Sequence, residues 1–127
     1  MDQIARLDAG KYLLLTTFRR DGRAVPTPVW AARDGESLVV WTVSDSGKVK
    51  RIRNNGTVRL APCSMRGAPE GDEVGGHAEV LDAAQTERAR KLIAGNYGLI
   101  GRLSMLGSRL RRGADGTVGI RLTVDAI

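Results

Sequence analysis

Two prolines stand two residues apart in the otherwise strand-like run Val25-Pro26-Thr27-Pro28-Val29-Trp30, and they limit what this chain can build more than any other feature does. Residues i and i+2 of a strand aim their N–H groups to the same lateral side, so prolines at this spacing silence successive donors along one edge. No continuous ladder forms there. The segment is either an edge strand protected against further pairing or a gap in a sheet, where backbone groups of Thr27 to Trp30 stay free to meet a flat ligand.

The rest of the chain supplies strands around that segment. Residues 2–8 read as a short amphipathic helix with Ile4 and Leu7 on one side, stopped by Gly10. Tyr12-Leu13-Leu14-Leu15-Thr16-Thr17-Phe18 is apolar on both parities, as expected of a strand buried on both faces. Asp21-Gly22 makes a hairpin turn into a strand over 24–33, and Asp34-Gly35-Glu36 turns into a third over 37–43. Two more follow over 57–65 and 73–81, the last of these rich in small residues (Gly75, Gly76, Ala78), which implies close approach by another backbone or a ligand. Asp82-Ala83-Ala84-Gln85 resembles a capping box for a helix to about Ala94 that buries Ala89, Leu92 and Ile93, and a second helix is expected over 97–112. A final strand over 117–125 alternates Val118, Ile120, Leu122 and Val124 with Gly119, Arg121 and Thr123. Six antiparallel strands with short helices, in one domain over 1–127, close into a small barrel.

Chemistry concentrates where the third strand ends. Leu38-Val39-Val40-Trp41-Thr42-Val43 runs through Ser44-Asp45-Ser46 into a basic helix, Gly47-Lys48-Val49-Lys50-Arg51-Ile52-Arg53-Asn54, with Val49 and Ile52 turned inward. Asp45 or Ser46 is expected to cap it, and Asn54-Asn55-Gly56 to end it in the left-handed conformation that Asn and Gly tolerate. Lys48 and Arg51 lie three apart with Lys50 beside them, near the hydroxyls of Thr42, Ser44 and Ser46. Backbone donors, hydroxyls and fixed cations at one strand end make a place to hold an anion.

The whole composition is consistent with that. A formal charge of +6 asks for an anionic partner. At 4% aromatic residues, with no rings interleaved among the cations, the chain lacks a base-stacking platform, so nucleic acid is not the expected partner. One cysteine and one histidine argue against a disulfide framework or a protein-held metal, and the apolar runs are too short to span a membrane; a cytoplasmic protein is expected.

Lys11 to Phe18, Pro26-Thr27-Pro28-Val29-Trp30, Trp41-Thr42 through Asp45 to Asn55, Ala61-Pro62-Cys63 with Arg66-Gly67, Tyr97-Gly98-Leu99 with Gly101-Arg102-Leu103, and Leu110 to Gly113 together resemble the B group of split-barrel deazaflavin-dependent oxidoreductases, relatives of pyridoxamine-phosphate oxidase. The resemblance implies a homodimeric, FMN-binding-type split barrel that holds coenzyme F-420, an 8-hydroxy-5-deazaflavin with a phosphate and a glutamate tail. It implies further that Thr42, Ser46, Lys48 and Arg51, with Lys50, take the phosphate and tail, while Thr27, Pro28, Val29 and Trp30 line the deazaflavin ring. The pyridoxamine-phosphate oxidase branch carries basic side chains where this chain has Gly47, Thr27 and Ala32, so an FMN phosphate finds fewer cations here.

The expected activity is therefore hydride transfer between reduced F-420 and a small unsaturated or conjugated substrate, with the chemistry residing in the cofactor. His77 is a candidate proton donor if its strand lines the groove, the alternative being a surface histidine, and Cys63 reads as a small core residue. Two competing readings are a carrier that binds deazaflavin, FMN or haem without turnover, and a basic nucleic-acid binder.

Overall fold

In the computed structural model, residues 3–8, 12–95 and 116–125 are described. They form α1 (Gln3–Asp8), β1 (Tyr12–Phe18), β2 (Ala24–Val29), β3 (Ala31–Asp34), β4 (Ser37–Val43), α2 (Gly47–Asn54), β5 (Thr57–Cys63), β6 (Val74–Val80), a helix α3 over 83–95, and β7 (Thr117–Val124). The strands make one sheet in the order β2-β1-β5-β6-β7-β4-β3, with every neighbouring pair antiparallel.

The single strand expected over 24–33 is two, broken at Trp30, so the described strands number seven rather than six. β2 and β3 occupy opposite ends of the hydrogen-bonded order, yet only Trp30 separates them in sequence. Adjacent Cα atoms are about 3.8 Å apart, so the sheet must curl until its two edges meet at Trp30. The result is a mainly β, antiparallel split barrel with a few short helices.

Register explains the prolines. Pro28 lies opposite Leu14 and Pro26 opposite Thr16 on β1. A proline keeps its place in a pair only with its missing N–H turned away from the partner, so both face the open edge. Thr27 and Val29 then turn their backbone groups toward β1. What the edge leaves free is the carbonyls of Pro26 and Pro28, a narrower set than the Thr27-to-Trp30 backbone expected from sequence.

Both faces of the sheet are covered, as the double parity of β1 requires. Leu13 and Leu15 enter the inner core with Leu38, Val40, Leu60, Ile120 and Leu122. Leu14 packs on the other face with Ala61 and Cys63. Val39 also points outward, into a cluster with Ala32, Leu81, Ala89, Ile93 and Ala94. That cluster seats α3 against Trp30 and Trp41. α3 opens where Asp82 accepts a hydrogen bond from the Gln85 N–H at 2.8 Å, the expected cap. The helix expected over 97–112 lies outside the described residues.

The small residues of β6 answer to a backbone, not to a ligand: a Cβ on Gly76 would stand 2.6 Å from the Thr123 carbonyl oxygen on β7. The end of α2 also departs from expectation. Asn55 is extended (φ −150°, ψ 109°), and its N–H bonds the Arg51 carbonyl. Gly56 is needed for space, since a Cβ there would lie 2.4 Å from His77 Cε1 and 2.9 Å from the Ala78 oxygen.

One polar cluster ties α3 and β7 to the β3–β4 hairpin. The Asp34 carboxylate, only 12% exposed, accepts from Arg88 at 2.8 Å and from Arg121 at 3.0 Å. Hydrogen bonding from Arg88, then from Arg121, outweighs burial and holds its pKa at about 2. Because the folded value lies below the unfolded one, this stabilisation is complete above about pH 4 and is lost as the pH falls through about 2. Asp34→Asn is therefore expected to lower the unfolding free energy by about 2 kcal/mol at neutral pH. In denaturant titrations the difference from wild type should shrink steadily below about pH 4.

Candidate functional site

α2 begins where β4 leaves the sheet. The Ser44 N–H bonds Gly116 O and the Ser46 N–H bonds Val43 O, which turns the chain, while buried Val49 and Ile52 dock the helix on the inner core. Ser46 occupies the N-cap with extended backbone, but its side chain makes no cap hydrogen bond. Its Oγ is buried without a partner. The side-chain cap expected from Asp45 or Ser46 is thus absent, and the first intrahelical bond, from the Lys50 N–H to Ser46 O, leaves the amides of Gly47, Lys48 and Val49 uncapped.

Beside that helix end runs a cavity of about 280 Å³ lined by Pro28, Val29, Trp30, Trp41, Thr42, Lys48 and Ile93. Five residues singled out from sequence, on three separate elements, therefore meet in one groove. Lys48 is half-buried there, and burial first, then the Arg51 charge, lowers its ammonium pKa from the ordinary value. Trp41 Nε1 is a buried donor with no acceptor. Thr27 precedes Pro28 and faces Leu15 across the β1 pairing, and Ser46 sits at the α2 cap; neither belongs to the groove lining.

Lys50 and Arg51 go elsewhere. They line a separate pocket of about 460 Å³ with Phe18, Arg19, Arg20, Gly47 and Asn54. Arg51 Nε donates to Thr17 Oγ1 at 2.7 Å, which draws the guanidinium toward the β1–β2 hairpin. Arg19 and Arg20 were not among the residues expected to bind anything, because a hairpin and a helix more than 25 positions away show no sequence periodicity in common. Ile93 enters the groove for the same kind of reason, through the packing of α3.

His77 does not join either group. The alternation of β6 turns Gly76 and Ala78 inward and leaves His77 exposed, its ring over Gly56. The condition for its expected role as proton donor, a strand lining the groove, is not met. Cys63 is buried, and burial with the Glu70 charge raises its thiol pKa, which suppresses thiolate chemistry. Among the described residues no group of three or more His, Cys, Asp or Glu side chains could hold a metal. No helix of the described residues is long and apolar enough to cross a membrane.

The family model for pyridoxamine 5'-phosphate oxidase matches residues 3–127. The chain belongs to that family. Among curated proteins none matches in sequence. Solved structures similar in fold to this chain include an F-420 reductase, 19% identical, TM-score 0.65, with 96% of this chain and 92% of that one covered. HutZ, the heme storage protein from Vibrio cholerae, is 14% identical, TM-score 0.62, covering 98% and 89%. A FAD-binding protein from Mesorhizobium loti is 17% identical, TM-score 0.60, covering 97% and 85%. At these identities the likeness is one of fold, and the named ligands belong to those proteins.

Within this family member Lys48 is an energetic liability to the folded chain. It is a half-buried cation with no acidic partner among the described residues. Lys48→Met should therefore raise the unfolding free energy by about 0.5–1 kcal/mol, measured by denaturant titration at neutral pH, where a cation kept only for packing would give a loss.

Proposed function

We propose that this chain is an oxidoreductase that transfers a hydride between reduced coenzyme F-420 and a small unsaturated or conjugated organic substrate. The observation that carries the reading is the shared groove: Pro28, Val29 and Trp30 at the sheet seam lie in one cavity with Thr42 and Lys48 at the head of α2. Family membership and the fold shared with an F-420 reductase support it.

The residues present fit such a group. Ser46 Oγ and Trp41 Nε1 are buried and unpartnered, and the first-turn amides of α2 carry no cap. Such groups cost stability until something bonds them. Lys48 and the uncapped amides at the start of α2 would hold a phosphate, with Thr42 beside them. Pro28, Val29 and Trp30 would wall the ring on the seam side, with Trp41 lining the same groove. When bound, the deazaflavin supplies the hydride. The chain's part is to seat and orient the ring and to screen it from water. Gly47, Thr27 and Ala32 offer no cations, which favours F-420 over FMN. A second copy of the chain laid against the groove would make the working unit a homodimer.

A carrier reading has one observation in its favour: Lys48 is the one titratable side chain among the described lining residues, so no acid–base pair is in place. Stopped-flow mixing of reduced F-420 with a panel of enones and quinones separates the two readings, since a carrier binds without reoxidation. Fluorescence titration tests the site itself. Lys48→Met should weaken binding of oxidised F-420 by about 10–100-fold, the value of one charge-assisted hydrogen bond. Wild-type affinity in that variant would remove the groove as the site.

A further inference from the structure

Under the N-terminal half of α3 lies a cavity of about 450 Å³ that the groove does not include. Its volume falls within the range of roughly 300–1,000 Å³ usual for small-molecule sites. Of its lining residues only Trp41 also borders the groove. Arg90 and Ile93, one turn apart on α3, divide the two hollows, the first lining the cavity and the second the groove. All the lining residues but Arg53 and Ala83 are buried or half-buried.

Packing holds the cavity in place. Alternation along β7 puts Thr117 and Gly119 on the face that α3 covers. At Gly119 the helix comes down onto bare backbone: Thr86 Oγ1 accepts the Gly119 N–H at 2.9 Å, and a Cβ on Gly119 would stand 3.1 Å from the Ala89 Cβ. The Leu81 N–H bonds the Gly119 carbonyl at 2.9 Å, which fixes the chain that leads into the helix. Two residues earlier, Thr117 borders the cavity, beside the 3.0 Å bond from the Ser44 N–H to Gly116 O that closes the end of the β4–β7 pair. Helix and sheet are clamped at Gly119 and parted next to it.

The walls combine apolar surface with a small, fixed set of polar groups. Trp41, Leu81 and Ala83 bring the apolar surface. Thr86 acts toward Gly119 as an acceptor and so keeps its hydroxyl hydrogen, and Thr117 adds a second hydroxyl. Glu87 holds Arg90 at Nε (3.0 Å) and at Nη2 (2.5 Å), which sets the guanidinium and leaves Nη1 over. Arg53 arrives from the last turn of α2. Two arginines against one glutamate leave the described lining with a single positive charge in excess.

We propose that this cavity binds a small aromatic monocarboxylate, its carboxylate on Arg90 and Arg53 and its ring against Trp41 and Leu81. One negative charge balances the excess. A second one, as on a phosphate monoester or a dicarboxylate, would meet the Glu87 carboxylate, and a cationic ligand would meet two guanidiniums. A neutral molecule of the same shape forfeits the charge-assisted hydrogen bonds. A flat ring suits the face of an indole. The assignment does not rest on the hydride-transfer reading, since the two hollows have Trp41 alone in common.

The chain's two tryptophans make a site-resolved test possible. In a proton–nitrogen correlation spectrum of the full chain, Trp30 and Trp41 give separate indole N–H signals, and Trp41 alone borders this cavity. Titration with benzoate, trans-cinnamate and indole-3-acetate, at neutral pH and constant ionic strength, should shift the Trp41 signal saturably for at least one acid and leave Trp30 almost unmoved. Benzamide and benzylamine should bind about tenfold more weakly than benzoate or worse, and phthalate no more tightly. Ala83→Phe, at an exposed position, should occupy part of the cavity and weaken binding about tenfold, while Arg53→Gln should weaken it only several-fold because that charge is screened. Lys91→Gln, which lines a different hollow on α3, should change nothing. Absence of a saturable Trp41 shift with all three acids overturns the assignment, as does benzamide binding as well as benzoate, undiminished binding in Ala83→Phe, or an equal shift of Trp30. Lys48→Met should leave benzoate binding intact whether or not it weakens F-420, so failure of the groove and failure of this cavity read differently.

Discussion

A single residue, Trp30, joins the two edges of the sheet, and most of the architecture follows from that covalent link. A flat or gently twisted seven-stranded sheet would hold β2 and β3 far apart; here they are consecutive in the chain. Curling is therefore compulsory. The curl in turn creates an inside, filled by Leu13, Leu15, Leu38, Leu60, Ile120 and Leu122, and an outside that α3 has to cover. The seam at Trp30 is also the place where the ladder stops, because Pro26 and Pro28 withhold donors from the open edge. A sheet that closes without a ladder leaves a cleft, and the groove is that cleft.

Charge is distributed around α2 with the same economy of position. Val49 and Ile52 bury one side. The remaining cations then fan out by the 100° step of the helix: Lys48 to the groove, Lys50 and Arg51 to the hairpin pocket, Arg53 toward the cavity beyond Trp41. Elsewhere Arg23, Arg59, Arg88, Arg90 and Arg121 are matched by acids, most tightly at Asp34. Around α2 the cations are not. Unmatched cations at partly buried sites lower stability, so their concentration on one eight-residue helix points to function and not to fold.

Much of this was legible in the sequence because it rests on local rules. Period-two alternation found β7, double apolar parity found the two-sided burial of Leu13, Leu14 and Leu15, and Asp82 announced the start of α3. The groove was legible as two half-sites, the proline segment and the basic helix. What local rules missed was set by packing between distant elements. The break at Trp30 depends on the far edge of the sheet, and the seat of Arg51 depends on Thr17, 34 positions away. Gly56 looked like a helix stop by residue type, but the crowding of His77 and the Ala78 carbonyl explains it better. Ser46 has the residue type and the backbone of a cap, yet its hydroxyl bonds nothing, a fact no spacing rule contains.

The two boundaries of the groove are chemically opposite, and this gives it a direction. At the seam the free backbone groups are carbonyls, since the prolines have removed the donors. At the head of α2 no side chain caps the amides, and the groove is bordered there by Lys48, which adds a positive charge. An elongated ligand reversed in such a groove would set acceptors against carbonyls and its donors against amides and an ammonium. Each mismatched buried group costs on the order of 1–3 kcal/mol. Two or three of them separate the orientations by several powers of ten, so the edge protection that the fold needs and a preferred binding direction in the groove come from the same proline-bearing edge.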